Sequence, residues 1–305
     1  MTKPKIPSMN PEYLRRINMV IDYIDRHIGE PFTLATLADI SGFSHYHFSR
    51  VFSGVMGETL FEYIRRLRLE KAKSQLAVTN QAITTIAFHF GFNDASDFAR
   101  AFKRTYGLSA TKFRKISKQR QDQITASLYN DKKQAKRSDT TMNLDYRVDV
   151  KKIAAMETIY LRHMGSYADL AKQFKPMMGQ LLTYGQQNNL LNEHSKLLAV
   201  YHDDPNITED DNRRTSICLT VPVGTKATAD FGQMTLPAGN YAIGHFSLDN
   251  GEQMALAWQT LFGVWLPQSG YQPGEGPVFE VYLNDPNTHP QKKQLIDIYL
   301  PVKKL

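Results

Sequence analysis

Thr36-Leu37-Ala38-Asp39-Ile40-Ser41-Gly42-Phe43 is echoed further along the chain by Thr85-Ile86-Ala87-Phe88-His89-Phe90-Gly91-Phe92, at an offset of 49. The echo continues through Phe48 and Phe98, Arg50 and Arg100, Phe52 and Phe102, and Gly57 and Gly107 at an offset of 50, so one residue is inserted just after the turn. Each copy reads as a short helix, a glycine-containing turn and a second amphipathic helix. That is a helix-turn-helix, the unit that lays its second helix in the DNA major groove.

In the second helix of copy one, Phe48, Val51 and Phe52 point towards a core, and His45, Tyr46, Ser49, Arg50 and Ser53 lie on the opposite arc. In copy two Phe98, Ala101 and Phe102 point inward, leaving Asn93, Ser96, Asp97, Arg100 and Lys103 outward. Thr33 and Ser44 are the expected N-caps of copy one. Upstream, Glu12 to Gly29 carries an apolar stripe (Leu14, Ile17, Val20, Ile21, Ile24) and reads as a scaffold helix. Between the copies runs a long helical pattern from Thr59 to Leu76, made basic by Arg65, Arg66, Arg68, Lys71 and Lys73. It reads as a rigid spacer. If it holds the two reading helices about 34 Å apart, they enter successive major grooves on one DNA face without a dimer.

The charge is unevenly divided. Of the 37 Lys and Arg and 30 Asp and Glu, residues 1–141 hold 23 and 13, and residues 142–305 hold 14 and 17. A basic first part gains affinity from phosphate contact through counterion release, whereas the second part has no electrostatic reason to bind nucleic acid. The start, Met1 to Asn10, shows no signal-peptide pattern, and no uncharged apolar run approaches the ~18 residues of a membrane span. One cysteine, Cys218, excludes an intramolecular disulfide, fits a reducing cytoplasm and reads as a buried strand residue. Lys112 to Arg137 reads as a solvated helical tail and linker. The expected organisation is a DNA-binding domain over 1–117, a basic linker over 118–143 and a second domain over 144–305.

A second repeat fills that second domain. Val200-Tyr201-His202-Asp203-Asp204-Pro205-Asn206 matches Val281-Tyr282-Leu283-Asn284-Asp285-Pro286-Asn287 at an offset of 81, as Tyr160 matches Tyr241. The closing segments Thr220-Val221-Pro222-Val223 and Tyr299-Leu300-Pro301-Val302 match at 79, which reads as two residues lost from a loop. The expected fold is therefore an all-α tandem helix-turn-helix domain followed by an α+β domain of two pseudo-symmetric strand-helix-strand-strand repeats.

In the strand Val278-Phe279-Glu280-Val281-Tyr282, alternation puts Glu280 and Tyr282 on one face. The equivalent of Glu280 in the first repeat is Ala199, so the fold itself needs no acid there. A lone acid in an apolar strand must find a partner or raise its pKa. With Trp258, Trp265, Tyr167, Tyr241 and Tyr299 in the same domain, a carboxylate ringed by aromatic faces suits an organic cation. His45 and His47 fall on different helix faces, and no Gly-rich phosphate loop or G-x-S-x-G elbow is present. No catalytic residue, cofactor or metal is expected.

The first half resembles the AraC-type transcription regulators from Tyr13 to Lys115. The likeness rests on Leu37-Ala38, Gly42-Phe43-Ser44, Phe52, Gly57, Tyr63-Ile64, Arg68-Leu69, Ala72, Ile86-Ala87, Gly91-Phe92, Phe98, Phe102, Lys103, Gly107 and Phe113-Arg114. Ala110 departs from the family's usual proline and is expected to loosen a turn. The second half, Asp149 to Val302, resembles the GyrI-like (gyrase-inhibitor-like) effector-binding domains through Gly165-Ser166-Tyr167, Asp203-Asp204-Pro205, Gly239-Asn240-Tyr241, the run from Trp265 to Tyr271, and Glu280-Val281-Tyr282. The resemblance implies base contacts from Tyr46, Ser49, Arg50, Ser96 and Arg100. Asn93 and Lys103 complete the expected reading surface, and Lys112 and Arg114 are expected to meet phosphate. It also implies an amphipathic or cationic effector held by Glu280 and the aromatics Tyr282, Trp258, Trp265, Tyr167 and Tyr241. The implied partners are double-stranded DNA, the effector and RNA polymerase, in a cytoplasmic, multidrug-sensing activator with no membrane association. The residues themselves leave activation and repression open. They also leave open a small-molecule hydrolase or a protein-binding module as the work of the second domain.

Overall fold

The computed structural model describes residues 11–120 and 144–305, apart from Asn206, Ala229 and Glu252 and the side chains of Pro11 and Tyr46. The reading of Met1 to Asn10, and the linker from residue 121 to 143, therefore lie outside the described residues. The chain divides into two compact units, one helical and one built on a sheet.

The helical unit runs α1 (Pro11–Arg26), α2 (Leu34–Ser41), α3 (His45–Met56), α4 (Leu60–Val78), α5 (Ile83–His89), α6 (Ala95–Tyr106) and α7 (residues 110–120). The turns of the two copies adopt the same left-handed backbone, with φ of 65° at Gly42 and 74° at Gly91, a region that a Cβ disfavours. Phe48, Phe52, Phe98, Ala101 and Phe102 are all fully buried and meet in one core with Ile17, Val20, Ile21 and Ile24 of α1. Thr33 caps α2 by accepting from the Thr36 amide, and a capping box of Thr59 and Glu62 starts α4. Ser44 occupies the N-cap position of α3 but makes no capping hydrogen bond, unlike Asp94, which caps α6 at 2.6 Å from the Asp97 amide. Ala110 is buried in the first turn of α7, and the Ser109 hydroxyl accepts from the Lys112 amide, so the turn forms without the proline.

The sheet unit contains β1 (Asp145–Ile153), β2 (Met156–Met164), α8 (Tyr167–Gln187), β3 (Leu197–Tyr201), β4 (Arg214–Thr220), β5 (Gly232–Leu236), β6 (Gly239–Leu248), α9 (Gln253–Gln259), β7 (Tyr271–Pro273), β8 (Val278–Tyr282) and β9 (Gln294–Lys304). α9 continues as a π-helical stretch over Thr260–Trp265. The strand order is β1-β6-β9-β8-β3-β4-β2-β5, with β7 added on β9. The repeats are thus β1-β2-α8-β3-β4 and β5-β6-α9-β8-β9. Each opening strand pairs with the other repeat: β1 lies on β6 and β5 on β2.

Only Ala154 and Ala155 join β1 to β2, although five strands lie between them in the sheet. Three peptide links span at most ~11 Å, and six interstrand steps of a flat sheet would need ~29 Å. The sheet must curl strongly to bring these strands together. On one face it carries α8 and α9; on the other, Tyr160, Leu198, Val200, Cys218, Tyr241, Ile243, Phe279, Val281 and Tyr299 form a separate apolar cluster.

The register corrects two sequence matches, since Tyr160 faces Cys218 in the first repeat whereas Ile243, not Tyr241, faces Tyr299 in the second. Leu198 faces Cys218 and its equivalent Phe279 faces Tyr299, so β4 and β9 correspond at 81 and not at 79. Nothing is lost from the loop. The proline match misleads because Pro222 follows the end of β4 whereas Pro301 lies within β9.

Candidate functional site

In the β3–β8 ladder Ala199 pairs directly with Glu280, and these two residues are also equivalents in the repeat. The pseudo-twofold axis of the sheet unit therefore passes between them. Tyr201 and Tyr282, two residues further along each strand, are likewise equivalents and lie on the same face. Both converge on the single carboxylate: the Tyr201 hydroxyl donates to Glu280 Oε2 at 2.9 Å and the Tyr282 hydroxyl at 2.7 Å. The Trp258 indole N–H, reaching down from α9, donates to Oε1.

Glu280 is fully buried. Burial pushes its carboxyl above the usual value, opposed in part by the hydrogen bonds from Tyr282, Trp258 and Tyr201. Burial and the adjacent carboxylate hold the Tyr201 and Tyr282 hydroxyls well above the ordinary tyrosine value, so both stay protonated as donors. An ionised Glu280 has about four lone-pair sites, and three donors occupy all but one. The arrangement solvates a negative charge, and it contains no second base.

Rings extend the site towards both helices. Trp258 meets the Tyr201 ring edge-on at 5.4 Å and stacks on Phe262 at 5.8 Å. Tyr282 meets Phe174 of α8 edge-on at 5.1 Å. Tyr167, at the start of α8, meets the Tyr201 ring at 5.8 Å, carries the Arg213 guanidinium 5.2 Å over its own ring and is pushed up to about 12 by burial. Arg213 is fixed there by bonds to the Thr208 and Pro205 carbonyls and by Asp210.

Of the expected ligand residues, Glu280, Tyr282 and Trp258 come together directly, and Tyr167 stands one ring away. Tyr241 does not join them. It packs against Phe279 at 5.6 Å and Tyr299 at 6.2 Å, on the opposite face of the sheet, because Phe279 and Glu280 alternate along β8. Its hydroxyl donates to the Pro237 carbonyl, and it borders a separate cleft of about 240 Å³ with Pro237, Glu275, Pro301 and Lys303. Trp265 stacks on Tyr271 at 6.4 Å, and among the described residues no ring contact or hydrogen bond joins it to Glu280. Tyr201, Phe174 and Phe262 are additions from the structure. The offset of 81 already pairs Tyr201 with Tyr282, so Tyr201 had a signal in the sequence; the other two had none.

In the helical unit Arg50, on α3, and Ser96, Arg100 and Lys103, on α6, are exposed, and Ser49 is half-buried. Tyr46 lies on α3, but its side chain is outside the described residues. Asn93 is exposed in the turn before α6 rather than on the helix itself. Lys112 is exposed on α7. Arg114, also on α7, is half-buried, its Nε and one Nη are enclosed with no hydrogen-bond partner among the described residues, and burial lowers its pKa. Among the described residues no cluster of acidic, His and Cys side chains is placed to hold a metal ion, and no helix is long and apolar enough to cross a membrane.

Comparison with known proteins follows the same division. Residues 146–303 match the family model of the GyrI-like small molecule binding domain, and residues 37–116 match a helix-turn-helix domain. The chain is 40% identical over 102 residues to the bifunctional transcriptional activator/DNA repair enzyme AdaA of Bacillus subtilis, covering 33% of this chain and 48% of that protein. It is 38% identical over 88 residues to an uncharacterized HTH-type transcriptional regulator of Staphylococcus aureus, covering 29% of this chain and 12% of that one. The chain thus spans about half the length of the first relative and far less of the second. Among solved structures, EcmrR in its DNA complex aligns with 84% of this chain and 99% of its own, at 18% identity and a TM-score of 0.44.

Proposed function

The chain belongs to the GyrI-like small molecule binding family and carries an AraC-type helix-turn-helix domain ahead of that region, and from this premise we propose that it is a cytoplasmic transcription regulator. Its helical unit reads DNA with α3 and α6, and its sheet unit binds an amphipathic organic cation at Glu280. RNA polymerase is the partner on which the regulator acts. The duplicated α3 and α6, with Arg50 and Arg100 outward at equivalent places, support the DNA reading.

The observation that carries the effector reading is a fully buried carboxylate that three neutral donors surround and aromatic rings enclose. Burying an ionised group costs free energy that neutral donors offset only in part, and an incoming cation supplies the missing charge. The rings add cation–π attraction of roughly 0.5–2 kcal/mol per contact. Because Trp258 donates to Glu280, indole fluorescence reports on the site once the second indole is removed by Trp265→Phe. Titrating the full chain with lipophilic cations and with neutral aromatics of matched size should quench or shift that emission for the cations alone. Equal responses to both sets would remove the cation reading.

A further inference from the structure

The basic residues of α4 look like a DNA-facing stripe, but each is engaged within the helical unit. Arg66 pairs with Glu58 and Glu70, and Lys71 with Asp25 of α1 at 2.9 Å. Arg65 reaches Asp97 of α6 at 3.3 Å, and the Lys73 ammonium sits 4.3 Å over the Tyr106 ring and 5.5 Å over Phe113. Arg68 ties the segment that leads into copy one to the turn of copy two. Its Nε donates to the Ile28 carbonyl at 2.9 Å and one Nη to the Glu30 carbonyl at 2.6 Å, both in the segment between α1 and α2. Its other Nη donates to the Gly91 carbonyl at 2.7 Å, in the turn of copy two.

The surrounding backbone is built for this contact. A Cβ on Gly91 would strike the Arg68 guanidinium at 2.6 Å, and a Cβ on Gly29 would strike the His89 carbonyl oxygen. Two glycines thus let the segment at 28–30 and the turn at 89–91 close on each other, with a planar fork of charge-assisted donors between them. Exposed ion pairs such as Arg65–Asp97 hold orientation weakly. Three charge-assisted bonds to main-chain carbonyls hold it far better, because a carbonyl in a packed turn cannot swing away as a side chain can.

We propose that Arg68 is a positioning residue that fixes the mutual orientation of α3 and α6, and with it the spacing between half-sites that this regulator accepts on DNA. The inference rests on the DNA-binding reading above. Each inserted base pair moves the second half-site by about 3.4 Å and turns it by about 35°. A locked pair of reading heads tolerates neither, whereas a loosened pair follows the DNA at some loss of affinity.

The test is sequence selection from a randomised duplex pool with the full chain, followed by titration of the enriched duplex and of the same duplex lengthened by one base pair between its two conserved blocks. The wild-type chain is expected to enrich one spacing and to lose about tenfold or more in affinity on the insertion, a difference of ~1.4 kcal/mol. Arg68→Met, checked for helix content, is expected to enrich several spacings or one block alone, and to bind both duplexes within about threefold of each other. Arg68→Lys keeps the charge without the fork and should fall between. Gly29→Ala pushes the segment at 28–30, which leads into copy one, away from the turn of copy two without touching any charge and should also relax spacing, which keeps the test decisive if Arg68→Met does not fold. The proposal is overturned if the folded variants enrich the single wild-type spacing and keep its insertion penalty. A wild-type chain that enriches no sequence overturns the DNA reading instead, and the proposal with it.

Discussion

Both units of this chain are duplications, and they have used duplication in opposite ways. In the helical unit the copies keep the same outward chemistry: Arg50 and Arg100 remain at equivalent exposed positions behind equivalent glycine turns. Two separate surfaces can each keep a copy of a useful group. In the sheet unit the copies meet at a pseudo-twofold axis, and the axial position holds a carboxylate on one side and Ala199 on the other. Cross-strand neighbours have Cβ atoms ~4.5–5.5 Å apart, so two facing carboxylates would repel in a dry site. A site on the axis therefore keeps both tyrosines and only one acid.

That contrast is broken most severely by restoring the symmetry. Ala199→Glu places a second buried carboxylate beside Glu280 in a close-packed site and should destabilise the chain by more than ~4 kcal/mol near neutral pH, measured by urea unfolding. Lowering the pH should recover part of the loss, because one proton can then bridge the pair. The exchange Ala199→Glu with Glu280→Ala should recover most of it, since Tyr201 and Tyr282 are placed alike about the axis and only the Trp258 bond is forfeited. An exchanged variant no more stable than Ala199→Glu alone would show that symmetry does not govern the site.

The next effect separates stability from binding. Glu280→Gln should lose about 3–5 kcal/mol of organic-cation affinity, read by Trp258 emission, if the site stays dry. Folding should not suffer. Burial raises the carboxyl's pKa in the folded chain, so the associated stability is complete below the unfolded value and is lost as pH rises through the folded one. The glutamine is neutral throughout. Its melting temperature should exceed that of wild type near neutral pH, and the gap should close towards about pH 4. A gap that widens on acidification contradicts the assigned shift.

These tests also mark what could be read from the residues alone. The repeats, their helix-turn-helix meaning and the isolation of Glu280 lie in local pattern, because the offsets of 49, 50 and 81 need no three-dimensional information. Facing was harder. Tyr241 was an attractive ligand aromatic, and only the ladder from β6 through β9 to β8 reveals that it shares Phe279's side of the sheet. The Trp258 bond comes from a helix 22 residues upstream in sequence, at a separation no periodicity encodes. Arg68 was legible as a charge but not as a clamp, since its acceptors are main-chain carbonyls and carry no residue signature.

In the helical unit the comparison sharpens at the reading surfaces. Arg50→Ala and Arg100→Ala should each cost roughly 1–3 kcal/mol on a selected duplex and far less on a scrambled one. Lys112→Ala should weaken both duplexes alike and flatten the salt dependence by about one ion. Arg114→Ala, whose guanidinium is partly enclosed, should show more of its effect in unfolding than in DNA titration. If Arg50→Ala weakens both duplexes equally, α3 does not read bases through that residue.

The smallest effect tests how far the two helix-turn-helix copies are equal. Ser44 and Asp94 stand 50 residues apart at the N-cap positions of α3 and α6, yet only Asp94 bonds an amide of its helix, at 2.6 Å from Asp97. The carboxylate also sits favourably at the positive end of the α6 dipole, which Ser44 cannot do for α3. Asp94→Ala should therefore cost about 1 kcal/mol of stability and Ser44→Ala only a few tenths, measured as shifts in the urea midpoint at constant slope. The effect should extend to function with the same asymmetry. A frayed first turn of α6 displaces Ser96 before Arg100, so Asp94→Ala should weaken specific DNA binding, and Ser44→Ala should leave it within about twofold. Equal losses of specific DNA affinity from both substitutions, with the stability difference intact, would mean that α3 acquires its cap on DNA, and that the copies become alike only when both are bound.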